Sequence, residues 1–241
     1  MTAMTEMQQS DRVRELRAQG LAPKQIARTL GVRPVEVIAV LRQSVTDSSR
    51  AGENASVVRC WVNSGWANEV RVRGHEEWPG LDDDIESPGG LVCVLVARRH
   101  RYDKVSVCGY LIDVHCLGVK NALGPRVMDE VDLIAFRRDF FAAYGADPVP
   151  APLELAQQLV FGAGDYARRL GFEPHPDYAD TVGLLDDPPT RCDIEFGRDG
   201  IPFFVEGPYD DARQIMRTLD ASVGPGNYHY VRTASLSASG A

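Results

Sequence analysis

The chain has 241 residues, 44% of them hydrophobic and 25% charged, with a formal net charge of −8 at pH 7. This is a globular composition, and its acidic balance excludes a protein that coats nucleic acid along its whole surface. The longest apolar run, LVCVLVA at 91–97, is far short of the roughly 20 residues that span a bilayer. The opening MTAMTEMQQSDRVREL lacks a basic start followed by an apolar block, so neither a membrane span nor a secretion signal is expected, and a cytoplasmic location is.

Charge is unevenly divided. Residues 7–45 hold Arg12, Arg14, Arg17, Lys24, Arg28, Arg33 and Arg42 against Asp11, Glu15 and Glu36, a local balance of +4 that leaves −12 for the rest. A basic segment on an acidic body is the usual mark of a binding module. Ser10 can cap a first helix, DRVRELRAQ, closed by Gly20; Pro23 opens a second, closed by Gly31; a third runs from Pro34 to Gln43. Val13, Leu16, Ile26, Leu30, Val32, Val37, Val40 and Leu41 would share a core, with Ala27 small where two helices cross and Gly31 at the sharp turn.

On these residues, LAPKQIARTLGVRPVEVIAVLRQ (21–43) resembles the helix-turn-helix family, in the form found in resolvases, sigma factors and many small regulators. The resemblance implies DNA as a partner, with the start of the third helix at base edges. There the sequence departs from the pattern: the places fall on Arg33, Pro34, Val35, Ile38 and Ala39, of which only Arg33 reads bases well. Lys24, Arg28, Arg42 and Gln43 can meet phosphates, which position a protein without reading sequence. A plain helical hairpin, or a module that docks on another protein, are the alternatives.

Residues 46–56 are small and polar and read as a flexible linker. Beyond it, VVRCWV (57–62) and EVRVR (69–73) read as a hairpin, and GHEEWPGLDDDIESPGG as a long acidic loop. LVCVLVARR and KVSVCGYLIDVHCLGV read as two longer strands. Helical spacing follows in DEVDLIAFRRDFFAAYG, and more clearly from Pro152 to Leu170, where Gly162 and Gly164 mark close packing. RCDIEFGRDGIPFFVEG reads as a late hairpin, two short strands around GRDG, YDDARQIMRTLD as a helix with an acidic start, and 231–241 as a disordered tail. The fold class is therefore α+β: a three-helix module at 8–45, and at 57–230 a larger domain with an antiparallel-type sheet and two to three packed helices. Cys60, Cys93, Cys108, Cys116 and Cys192 form no CxxC pair and read as reduced structural thiols.

GYLIDVHCLGVKNALG, LVFGAGDYARRLGFEPHPDY and DIEFGRDGIPFFVEGPYDD resemble a family of uncharacterised bacterial proteins, which implies one domain and no particular chemistry. From the residues themselves, Asp113 and His115 would share one strand face about 7 Å apart at Cα, His175 and Asp177 lie in a proline-stiffened loop, and Asp193 and Glu195 share a face of a late strand. If the three pairs converged they would suit divalent-metal hydrolysis, with Asp113, His115, His175 and Asp177 as catalytic candidates and Asp193 and Glu195 as metal ligands. The blander reading makes them turn and surface groups. No phosphate-cradling, zinc-protease or serine-hydrolase motif occurs, and no cofactor is expected. The sequence thus reads as a DNA-binding or regulatory protein, able to form a homodimer, whose larger domain binds a small-molecule ligand or a protein partner. A metal-dependent hydrolase or nuclease, and an interaction adaptor without DNA binding, are the alternatives.

Overall fold

The computed structural model describes residues 26, 29–32, 58–81, 89–100 and 104–232, and the chain divides into two compact units, Met1–Ser56 and Val57–Ala241. In the first unit Ile26 is fully buried, Thr29 and Leu30 are helical, and Gly31 turns with φ +67°, a conformation that L side chains resist. Lys24, Arg28, Arg33, Arg42 and Gln43, with the rest of the expected three-helix module, lie outside the described residues, as do 82–88 of the acidic loop and the tail beyond 232.

The second unit is mixed α+β. Its centre is an antiparallel five-stranded sheet of β1 (Val58–Val62), β3 (Leu91–Arg99), β4 (Lys104–Asp113), β5 (Gly118–Asp129) and β6 (Val149–Ala151), in the order β5-β4-β3-β1-β6. β2 (Arg71–Val72) pairs with β7 (Ile194–Glu195), and β8 (Phe203–Val205) pairs in parallel with β9 (His229–Val231). The described helices of this unit are α1 (Glu130–Phe140), α2 (Leu153–Arg169), the single turn α3 (Tyr178–Thr181) and α4 (Ala212–Ser222). No helix among the described residues is long and apolar enough to cross a membrane.

Both faces of the sheet are covered, which explains why β3 reads as a nearly unbroken apolar run where a half-solvated strand would alternate. Val92, Val94, Val96, Cys108, Tyr110 and Ile112 meet Leu155, Leu159, Val160 and Ala163 of α2, whereas Cys93, Leu95, Ala97, Val105 and Val107 meet Leu133 and Phe141 at α1. Within α2, Gly162 packs tightly as expected, since a Cβ there would stand 2.6 Å from Cys192 Sγ; Gly164 finds only Arg168 at 3.8 Å. A third cluster, of Cys116, Leu117, Leu170, Phe204, Ala212, Leu219 and Tyr228, joins the β4–β5 turn to α4 and the β8–β9 pair. Cys60, Cys93, Cys108 and Cys116 are buried and all five cysteines are free.

Two expectations are corrected. β1 and β2 form no hairpin: β1 takes β3 and β6 as neighbours, and β2 takes β7. Local alternation cannot choose between a partner across a short turn and one more than a hundred residues away, as Ile194 is from Val72; burial in the central sheet places β1. Likewise, β7 and β8 flank the tight GRDG turn, with one bridge between Arg198 and Ile201, but pair with β2 and β9 and not with each other.

α1 is seated through Gly109, where a Cβ would stand 2.5 Å from the Phe140 ring. Gly109→Ala is therefore expected to destabilise the fold by about 1–3 kcal/mol in urea unfolding, with Phe140→Leu recovering part of the loss. A neutral Gly109→Ala would show that α1 is not packed on that glycine.

Candidate functional site

The first pair of polar candidates, Asp113 and His115, lies at the end of the sheet where β4 stops and β5 begins. The chain turns there at residues 114–117, and the Asp113 side chain closes the turn by accepting the amides of His115 at 2.9 Å and Cys116 at 3.0 Å. LIDVHCLG is therefore not one continuous strand, and Asp113 serves the backbone of His115 in place of facing its ring. Burial pushes the Asp113 carboxyl up to about 6, against the pull of those amides and of Lys120.

The His115 ring is 1% exposed and lies on Gly90, where a Cβ would stand 2.3 Å from Nδ1. A glycine is required twice over, because Gly90 also has φ +80°. Nε2 stands 3.1 Å from Glu69 Oε2, but neither ring nitrogen makes an aligned hydrogen bond. The contact is thus close without being an aligned hydrogen bond, and it becomes an ion pair only when the ring is protonated. Burial lowers the pKa of His115 and the Arg198 guanidinium adds to this, while Glu69 opposes both. An enclosed, neutral imidazole has no open route to a substrate in this conformation.

A second grouping holds β2 to β7. His75 stacks on Trp78 with ring centres 4.0 Å apart and places Nδ1 3.1 Å from Glu77 and Nε2 3.1 Å from Asp193. Glu77 is the main cause of its raised pKa, with Asp193 adding and burial opposing. This pairing stabilises the fold below the ordinary histidine value and is lost as pH rises through the raised one. Asp193 is also held by Arg191 at 2.5 Å, and its amide by the buried Gln158 at 2.7 Å. Glu195, on the same side of β7, binds Arg73.

The third feature is open. A cleft of about 450 Å³ lies between the start of β5, the 171–176 loop and the first turns of α4. Leu117, Val119, Phe172 and Ile215 form its apolar lining, and Lys120, His175 and Gln214 supply polar groups beside the carboxylates of Glu173, Asp210 and Asp211. Lys120 is bound to Asp210 at 2.8 Å, and Asp210 in turn accepts the Gly207 amide at 2.9 Å. His175 is fastened by its backbone amide to the Val119 carbonyl at 2.9 Å, and its Nδ1 accepts the Asp177 amide at 3.3 Å.

The three sequence pairs are thus engaged separately: Asp113 with its turn, His115 with Glu69, His175 with Asp177 at the cleft, Asp193 with His75 and Arg191, and Glu195 with Arg73. Among the described residues no group of three or more His, Cys, Asp and Glu is placed to hold a metal ion. Sequence reasoning missed His75, Glu69, Lys120, Gln158 and Arg198. A His-x-Glu-Trp run was visible at His75, but its partner Asp193 is 118 residues away.

The raised carboxyl pKa of Asp113 has a definite sign. The folded state takes up this proton at higher pH than the unfolded chain does, so ionisation weakens the fold as pH rises from about 4, the ordinary aspartate value, to about 6. Asp113→Asn keeps an acceptor for both amides without the charge. Its stability relative to the native chain should rise between pH 4 and pH 7 by up to about 3 kcal/mol in denaturant titrations. A difference that is flat with pH, or that falls, contradicts the assignment.

Comparison of the chain with protein-family models, with curated proteins and with solved structures finds no match in any of the three.

Proposed function

We propose that this is a two-part regulatory protein: a basic helix-turn-helix-like segment at 8–45 that contacts DNA, and a larger unit that binds a small organic ligand in the cleft at β5 and α4. The observation that carries the reading is the cleft. Its volume of about 450 Å³ lies in the range of small-molecule sites, and an apolar lining with a few convergent polar groups is their usual make-up. The ligand class this chemistry fits has an apolar body, for Val119, Phe172 and Ile215, and a hydrogen-bonding end, for His175 and Gln214. The DNA half rests on the sequence, in the +4 balance of residues 7–45 on an otherwise acidic chain.

DNA contact of this kind is expected to be weak in sequence preference and steep in salt, because the available groups are mostly phosphate-directed. In anisotropy measurements on labelled duplexes, Lys24→Ala with Arg28→Ala should weaken binding to all sequences alike and lower the log–log salt slope by roughly two. A sharp base preference that persists in high salt would count against this half.

The cleft is tested separately. Native mass spectra of the full chain isolated from cells should carry a small-molecule adduct that is absent from Ile215→Trp, a change that fills the cleft from α4. An adduct that the variant retains, or none on the native chain, rejects the ligand half.

A further inference from the structure

A second cleft, unused by the readings above, lies between the last turn of α1 and the loop that leads into β6. Its volume is about 720 Å³, within the range of small-molecule sites. Its walls are fastened from several directions. Pro150 of β6 stands opposite Trp61 in the sheet register. Tyr144 packs on the buried Phe141 ring, with centres 6.5 Å apart, and donates to the Leu91 carbonyl at 3.3 Å. Ser64 Oγ donates to the Asp147 carbonyl at 2.7 Å. Trp61, Tyr144, Pro148 and Pro150 thus line the cleft with rings that are already held in place, and a wall of this kind loses little freedom when it receives a ligand.

Charge names the ligand class. Among the described residues the cleft carries two arginines, Arg137 and Arg138, against one carboxylate, Asp147, on a chain of 34 acidic and 26 basic residues. Where carboxylates are in excess an arginine readily finds one: Arg59, 5.9 Å from the Trp61 ring centre, is bound by both Glu130 oxygens at 2.8 Å. Arg137 lies 5.1 Å from the same ring centre, and its side chain makes no hydrogen bond or ion pair among the described residues. Attraction to the ring holds the guanidinium and consumes none of its N–H donors. The last turn of α1 favours positive charge there, yet no carbonyl or carboxylate takes those donors. Arg138 meets its neighbour Asp139 at 2.9 Å, in an exposed pair of the kind that contributes little and is readily exchanged. A planar donor fork beside a wall of rings suits a carboxylate or a phosphate borne on an apolar body.

We propose that this cleft binds a small organic anion, a carboxylate or phosphate ester whose charged end meets Arg137 and Arg138 and whose ring lies against Tyr144, Pro148 and Pro150. The inference stands apart from the DNA reading and from the cleft at β5 and α4. The test uses benzoate and phenyl phosphate as probes, with benzyl alcohol as the neutral control, each titrated into the full chain by calorimetry while the indole N–H resonance of Trp61 is followed. At least one of the two anions should bind saturably and shift that resonance, and benzyl alcohol should do neither. Arg137→Gln, checked for native circular dichroism, should weaken the binding about tenfold or more, since hydrogen bonds to a charged group are lost. Arg137→Lys, which keeps the charge without the planar fork, should bind with intermediate strength. Binding of benzoate alone assigns a carboxylate ligand, and binding of phenyl phosphate alone a phosphate ester. No saturable binding of either anion overturns the proposal, as does equal binding of benzyl alcohol, or anion binding that both Arg137 variants leave unchanged.

Discussion

Asp113 places a carboxylate in an almost wholly buried position and satisfies it with two successive backbone amides, those of His115 and Cys116. Burying a charge or an unpaired amide is costly, so removing either side of this arrangement leaves an unsatisfied group where water cannot reach. The turn it closes decides where the next residues go. His115 is directed onto Gly90, Cys116 and Leu117 enter the small core under α4, and β5 restarts at Gly118, whose φ of +66° lets it lie against Ala163 and Ala167 of α2. Lys120, two residues further, reaches Asp210 and so reaches the edge of the cleft.

Elsewhere in this unit the chain uses ion pairs between segments distant in sequence. Arg98, 8% exposed, binds the Leu184 carbonyl at 2.6 Å and Asp186 at 2.5 Å, and Asp186 has φ +58°. That left-handed conformation is unfavourable for a residue with a side chain and persists because the guanidinium holds it. His75 and Gln158 do comparable work on the segment that becomes β7. The outcome is a set of polar residues that look chemically active in isolation and are occupied in the structure. The cleft differs in being open, although Lys120 and His175 in its lining are themselves engaged by Asp210 and Asp177.

What could be read in advance followed the range of each interaction. Helix α2 was legible because Leu155, Leu159, Val160 and Ala163 repeat at threes and fours along one segment, and α4 because Asp211 caps it by accepting the Gln214 amide three residues on. The β3–β4 hairpin was legible for the same reason. The partners of β1, β2, β7 and β8 were not, since each is chosen by burial or by a charge more than a local stretch away. At the site, Asp113, His115, His175 and Asp193 drew attention by residue type, as candidate catalytic or metal-ligating groups. Their roles depended on partners such as Glu69, Gly90 and His75, which nothing in their own neighbourhoods announces. The break of LIDVHCLG into strand, turn and strand was missed because an Asp that caps a turn and an Asp within a strand look alike in an apolar alternation.

The functional reading and the fold therefore meet at one place: the Asp113 turn builds one wall of the cleft and seals His115 away from it. Amide hydrogen exchange at His115 and Cys116 tests this most directly. The account predicts that these two amides are among the slowest outside the five-stranded sheet, and that Asp113→Ala speeds them together with Lys120 and the 171–176 loop while leaving α1 unchanged. Fast exchange at both amides in the native chain, or a response to Asp113→Ala confined to those two amides, would contradict it.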